Sequence, residues 1–155
     1  MFSLAGKKAL VTGGSRGIGR GVVLALAEQG ADVVINFASS KDKAEAVARE
    51  VEMKGRKALV IQADVSKRSE VVSMFEQIKQ EWGGLDILVN NAGVLRGGEF
   101  SEFSEEMLDQ VLGVNLKGQF FCAQEAVKMM KSGGRIINIA SISSGGMGVG
   151  FAQIE

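Results

Sequence analysis

Leu10-Val11-Thr12-Gly13-Gly14-Ser15-Arg16-Gly17-Ile18-Gly19-Arg20 is the stretch around which the rest of the chain arranges itself. An apolar run ends in a glycine-rich turn, and a long amphipathic segment follows at once. The pattern predicts strand, turn and helix, with glycine where the backbone must bend hard or lie close to a ligand. Backbone N–H groups at such a helix start, together with the positive end of the helix dipole, make a site for phosphate. Gly13, Gly17 and Gly19 form G-x-x-x-G-x-G, near the dinucleotide pattern G-x-G-x-x-G but spaced differently. In a chain with 21 glycines such a cluster is also compatible with a tight turn alone, so its surroundings decide.

Outward from this turn, short apolar runs alternate with helical periodicity. Strands are expected at 8–12, 31–37, 57–63, 86–89 and 135–140. Helices are expected at 17–29, from Ser39 to about residue 53, at 67–82, and from Ser104 to about residue 131. Ser39 with Asp42 resembles a capping box, and the long last helix should bend near Gly113 and Gly118. Residues 94–103 read as loop, and the glycine-rich tail from 141 has no strong period. The strands are apolar without alternation, as expected when helices cover both faces. The alternation predicts right-handed crossovers and an α/β, Rossmann-like, doubly wound parallel sheet of five strands, in a single domain over 1–155. Ligands of such sheets sit beyond the carboxyl ends of the strands. The segments at 12–19, 36–40, 64–65, 90–93 and 141 all fall there.

Composition narrows the function. Of 155 residues, 46% are apolar and 23% charged, as in ordinary globular proteins, and the formal net charge is zero. No basic footprint for nucleic acid or an anionic membrane exists, and no apolar run has the length of a spanning helix. The first residues lack a secretory pattern, and one cysteine, Cys122, fits a reducing cytoplasm. Without histidine or a cysteine cluster, no metal site is expected. Proline and tyrosine are absent as well.

The ordered motifs Thr12-Gly13-Gly14-Ser15-Arg16-Gly17-Ile18-Gly19, Asp64-Val65, Asn90-Asn91-Ala92-Gly93, Val114-Asn115-Leu116-Lys117-Gly118 and Ile137-Asn138-Ile139-Ala140-Ser141 resemble the short-chain dehydrogenase/reductase family. The resemblance runs across nearly the whole chain and is to the N-terminal part of the family's fold. It implies binding of NAD(P)(H) and interconversion of alcohols and carbonyls. Gly13, Gly17 and Gly19 would then let the pyrophosphate approach, with Ser15 and Ile18 lining the turn; plain helix-start packing is the alternative for Ile18. Asp64 would accept from the adenine amino group and Val65 would offer its N–H, although Asp64 also suits a helix lead-in. Asn91, Ala92 and Gly93 would run beside the adenosine ribose, whereas Asn90 would hold neighbouring strands together.

NADP(H) is favoured over NAD(H). An acidic residue at the end of the second strand selects NAD by bonding the ribose 2′-OH and repelling a 2′-phosphate. Phe37 takes the aligned position, between Asn36 and Ala38, and no acid is present. Arg16 stands where NADP-preferring relatives often carry a base, and Ser39 and Ser40 offer hydroxyls. The plainer alternatives are a solvated turn residue for Arg16 and a helix cap for Ser39.

In the family a Ser, a Tyr, a Lys and an Asn carry the chemistry, the Lys charge lowering the Tyr pKa. Ser141 matches the serine and Asn115 the asparagine; the plainer readings are a strand-end polar residue and a helix kink. Tyr-x-x-x-Lys is expected a dozen or so residues after Ser141, and no tyrosine is present. The 155 residues alone are therefore expected to bind a dinucleotide without turnover, as the front part of a complete enzyme in which a helix would begin near residue 151. A non-catalytic dinucleotide-binding or scaffold protein is the alternative. By resemblance the substrate is a small carbonyl or alcohol compound, as in 3-oxoacyl-carrier-protein reductases or else sugar and polyol dehydrogenases. Homodimers or homotetramers are the family's habit, with Phe120, Phe121, Met129 and Met130 as candidate contact residues.

Overall fold

The computed structural model describes residues 3–141 and 152–154. Its main sheet holds β1 (Lys8–Val11), β2 (Asp32–Phe37), β3 (Ala58–Gln62), β4 (Ile87–Asn90) and β6 (Arg135–Asn138). The order is β3-β2-β1-β4-β6 and every pairing is parallel. Strand order therefore reverses between β1 and β4, which opens a crevice at their carboxyl ends. This is the doubly wound, Rossmann-like sheet expected from the sequence.

Side-chain alternation explains why each strand reads as continuously apolar. Ala9, Val11, Val33, Ile35, Ile87 and Val89 face one way, onto α1 (Gly17–Glu28) and α2 (Lys41–Met53). Leu10, Val34 and Leu88 face the other way, onto α3 (Arg68–Trp82) and α5 (Gln119–Val127). A pleated strand sends alternate residues to opposite faces, and in β1, β2 and β4 both faces are covered. Helix stops follow from backbone chemistry: Gly30, Gly55 and Gly83 each take a positive φ just after a helix.

Four expectations are corrected. The residue preceding α2 is Ser40 rather than Ser39, and it makes no side-chain cap bond, so no capping box forms. The span 94–103 contains β5 (Arg96–Gly98) and a short 3-10 turn, Phe100–Glu102. The helix expected from Ser104 is three pieces: α4 (Glu105–Leu112), a π segment (Gly113–Gly118) and α5. Its start is as expected, since the Ser104 hydroxyl accepts from the Met107 N–H at 3.2 Å. The bend expected at Gly113 and Gly118 is a widened turn bounded by those two glycines. It is seated against Val65, because a Cβ on Gly118 would lie 2.8 Å from Val65 Cγ2. Finally, 152–154 form β7 (Ala152–Ile154), antiparallel to β5, where a helix start was expected. Three-residue strands carry too little periodicity to be read from sequence.

Candidate cofactor and active site

The glycine turn is built by refusals of side-chain volume. Gly13 (φ +63°) and Gly17 (φ +53°) take the left-handed conformation. Gly19 is excluded from carrying a side chain for a different reason. A Cβ there would collide with the Gly13 carbonyl oxygen and lie 2.5 Å from Asn91 Nδ2. The turn leads into α1 through Arg16, whose extended backbone ends the turn and whose side chain makes no cap bond. The first turn of α1 has no acidic residue, and the first intrahelical bond runs from the Arg20 N–H to the Arg16 carbonyl at 3.1 Å. The amides of Gly17, Ile18 and Gly19 thus precede the helix ladder and face a cleft. This is a cradle that an added methyl would fill, with amide donors and no competing carboxylate. It fits a pyrophosphate group.

Two buried polar side chains hold the cradle, and the sequence assigns a role to neither. Thr12, 2% exposed, accepts at Oγ1 from the N–H groups of Asn91 and Ala92, both at 3.0 Å. In return Asn91 Nδ2 donates to the carbonyls of Thr12 (3.0 Å) and Gly13 (3.2 Å). Asn36, 1% exposed, accepts at Oδ1 from the Gly13 N–H (3.2 Å). A polar residue within β2 (Asn36) or directly after the apolar run of β1 (Thr12) is the available clue.

A cleft of about 400 Å³ runs from this turn over the carboxyl ends of β2 and β3. Gly13, Ser15, Arg16, Gly17, Ile18 and Gly19 form one wall. Phe37, Ser39, Asp64 and Val65 form another, and Asn91, Ala92 and Gly93 close it. Every cofactor residue expected from the sequence therefore borders one space. Details differ from expectation. Phe37 borders the cleft while only 4% exposed, so the rim after β2 is made by the exposed Ala38 and Ser39. Asp64 Oδ1 already accepts from the Ser66 N–H (3.0 Å) and hydroxyl (2.7 Å), so the helix lead-in reading holds for that oxygen. The Asp64 N–H donates to Glu70 at 2.8 Å, and this bond, with Lys67, holds the Glu70 carboxyl below its ordinary pKa. Arg16 is exposed and has no carboxylate partner among the described residues, whereas Arg20 is paired with Glu50.

A second cleft, about 520 Å³, adjoins the first and shares Ile18, Asn91, Ala92, Gly93 and Val94 with it. Asn115 and Ser141 both line it. Asn115 lies in the π segment, and its amide brackets one residue: Oδ1 accepts from the Val94 N–H and Nδ2 donates to the Val94 carbonyl, both at 2.9 Å. The kink reading of Asn115 thus takes the form of a π segment, and the same side chain borders the second cleft. Asn90 plays the bridging part expected of it, donating to Asn138 Oδ1 at 2.9 Å and linking β4 to β6. Cys122 is buried, and burial pushes its thiol up to about 12, so it offers no nucleophile. Among the described residues no group of three His, Cys, Asp or Glu side chains gathers as a metal site, and no helix is long and apolar enough to cross a membrane.

The parallel order, the reversal beside β1 and the glycine cradle define a Rossmann-like nucleotide-binding architecture. A family model described as short chain dehydrogenase matches residues 7–153, and the chain belongs to that family. It is 46% identical over 140 residues to a short-chain dehydrogenase/reductase of Pestalotiopsis microspora, covering 90% of this chain and 53% of that protein. A 3-oxoacyl-[acyl-carrier-protein] reductase of Staphylococcus epidermidis is 46% identical over 138 residues, covering 88% of this chain and 57% of the relative. The chain thus spans little more than half the length of these relatives. Among solved structures, a Burkholderia cenocepacia short chain dehydrogenase in complex with NADP superposes with a TM-score of 0.92 at 39% identity, covering 95% of this chain and 60% of that one. A blue fluorescent protein from a metagenomic library, in complex with NADPH, superposes at 0.92 and 40% identity, covering 98% and 62%.

Proposed function

We propose that this chain supplies the NADP(H) site, together with Ser141 and Asn115, of an oxidoreductase that interconverts a carbonyl and an alcohol. The carrying observation is the cradle of Gly13, Gly17 and Gly19 opening into a cleft where Arg16 has no carboxylate partner among the described residues and no acid stands on the rim after β2. NADP(H), when bound, supplies a hydride donor or acceptor. Everything else is work for the protein. The α1 amides hold the pyrophosphate by hydrogen bonds and dipole. Arg16, with Ser39 beside it on the cleft, provides charge and a hydroxyl for a 2′-phosphate. Asp64 Oδ2, clear of Ser66 and 3.9 Å from Lys67 Nζ, can accept from the adenine amino group, and Val65 offers an N–H. Asn91, Ala92 and Gly93 bridge the two clefts along the ribose.

Ser141 holds the substrate oxygen by its hydroxyl, and Asn115 orients a water in the proton path from its place in the π segment. The proton donor itself belongs to a Tyr-x-x-x-Lys motif that these 155 residues do not contain, so this segment alone binds without turnover. The similarity to 3-oxoacyl-[acyl-carrier-protein] reductases favours a 3-oxoacyl thioester as substrate, with a sugar or polyol as the second reading. Cytoplasmic residence and a homodimer or homotetramer belong to the same reading. For the latter, Phe120 is well exposed, whereas Phe121, Met129 and Met130 pack against the core under α5.

The test is titration of NADPH and NADH into the full chain and its Arg16→Ala variant. Tighter binding of NADPH, lost about tenfold in the variant, supports the reading. NADH binding more tightly, or NADPH affinity unmoved by the substitution, overturns it. NADPH consumption with a panel of ketones separates segment from whole: turnover by these 155 residues would refute the assignment of the proton donor.

A further inference from the structure

Asn36 does more than fill a buried position. In β2 it shares a face with Val34, inside a run that is otherwise apolar, and it is 1% exposed. Burying a carboxamide there is costly unless each polar atom is satisfied. Its partners come from two other strands. Oδ1 accepts from the Gly13 N–H at 3.2 Å, on the turn after β1. Nδ2 donates to the Ala63 carbonyl at 3.0 Å and to the Ile61 carbonyl at 3.4 Å, at the end of β3. Its own carbonyl accepts from the Gly14 N–H at 2.9 Å. An N–H on one side and two carbonyls on the other fix which way the amide points.

We propose that Asn36 is a positioning residue for the cofactor, locking the pyrophosphate turn at Gly13 to the adenine-side segment that begins at Ala63. The inference rests on the dinucleotide reading of the cleft. Gly13 sits at a φ of +63° with Ala92 and Asn91 against it, so its amide must be held while its Cα stays bare. Ala63 leads directly into Asp64 and Val65. One side chain therefore sets the distance between the two ends of the nucleotide's adenosine-diphosphate part. The role demands an acceptor and a donor together. Leucine has neither. Aspartate keeps the acceptor for Gly13, but its second oxygen meets two carbonyl oxygens unless it carries a proton. A protonated aspartate restores the acceptor for Gly13 and one donor, enough for the shorter bond to the Ala63 carbonyl, and an ionised one repels β3.

The experiment follows the full chain and its N36L and N36D variants by three readouts: amide exchange at Gly13 and Gly14, NADPH affinity, and thermal unfolding. In folded N36L, exchange at Gly13 accelerates and NADPH affinity falls, each by about tenfold or more. In N36D, the ratio of its NADPH Kd to that of wild type stays near one at about pH 5 and rises about tenfold by about pH 8. Taking the ratio cancels titration of the 2′-phosphate itself. A purely structural role would not produce that pH-dependent rescue. Should N36L not fold, the N36D ratio decides alone. Exchange and affinity within twofold of wild type in N36L, or a flat ratio in N36D, overturn the proposal. Faster Gly13 exchange in N36L with no NADPH binding by wild type would uphold the Asn36 lock and refute the cofactor reading instead.

Discussion

The two edges of the main sheet are built unlike each other. β3 closes one edge, and its residues are half-buried or buried apart from Gln62, because Ala58 and Val60 pack on the α2 side and Leu59 and Ile61 on the α3 side. Among the described residues β6 closes the other, and all four of its residues are exposed there, with Ile136 at 36% and Ile137 at 47%. Nearby on α5, Phe120 and Val127 are exposed too. The cofactor cleft lies over the well-packed side, between β1, β2 and β3. Ser141 follows the thinly covered strand, and Asn115 owes its position to a local device, the π segment bracketing Val94. The contrast teaches that the cleft at the glycine turn rests on a continuous core, whereas the cleft lined by Asn115 and Ser141 lies, among the described residues, against a thinly covered strand.

Substitutions can break that contrast or sharpen it. Ile35→Ala, in the core beneath α1 and α2, should cost roughly 2–5 kcal/mol, while Ile137→Ala on the exposed edge should cost under about 1 kcal/mol by denaturant unfolding. Equal losses would mean that β6 is covered as well as β2. Gly19→Ala comes next. Its methyl meets the Gly13 carbonyl, an overpacking worth roughly 1–3 kcal/mol in stability, and NADPH binding should fall about a hundredfold in a titration. Ala38→Asp places a carboxylate on the exposed rim after β2. It should weaken NADPH binding about tenfold and leave NADH binding within about twofold, measured by competitive titration.

The smallest effect concerns pH. Glu70 has a depressed pKa when folded, first through the Asp64 N–H and then through Lys67. A depressed carboxyl contributes stability above its unfolded pKa of about 4.3 and loses it as pH falls through the lower folded value. Glu70→Gln should therefore flatten stability slightly between about pH 5 and about pH 3 in thermal scans, with the difference from wild type vanishing at the acid end.

Legibility followed the range of the physics. The five main strands and the helices between them were readable because each carries its own period and its own glycine stop. The turn from Gly13 to Gly19 was readable because left-handed backbone and crowding exclude other residues. The roles of Thr12 and Asn36 were not legible, since their partners lie 23 to 80 positions away. The π segment was visible only as a bend near Gly113 and Gly118. Its widened geometry depends on Val65 and Val94, which no local pattern connects to Asn115.

By itself, then, the sequence determined the alternation of strand and helix, the glycine cradle, the absence of an acid after β2 and the lack of tyrosine, because these are properties of residue type and spacing. Only the tertiary structure decided that β7 replaces a helix start, that Phe37 is buried while Ala38 and Ser39 form the rim, and that Asn36 ties Gly13 to Ala63. Those outcomes depend on which strands lie side by side. Hydrogen bonds and burial between distant segments are set by that packing.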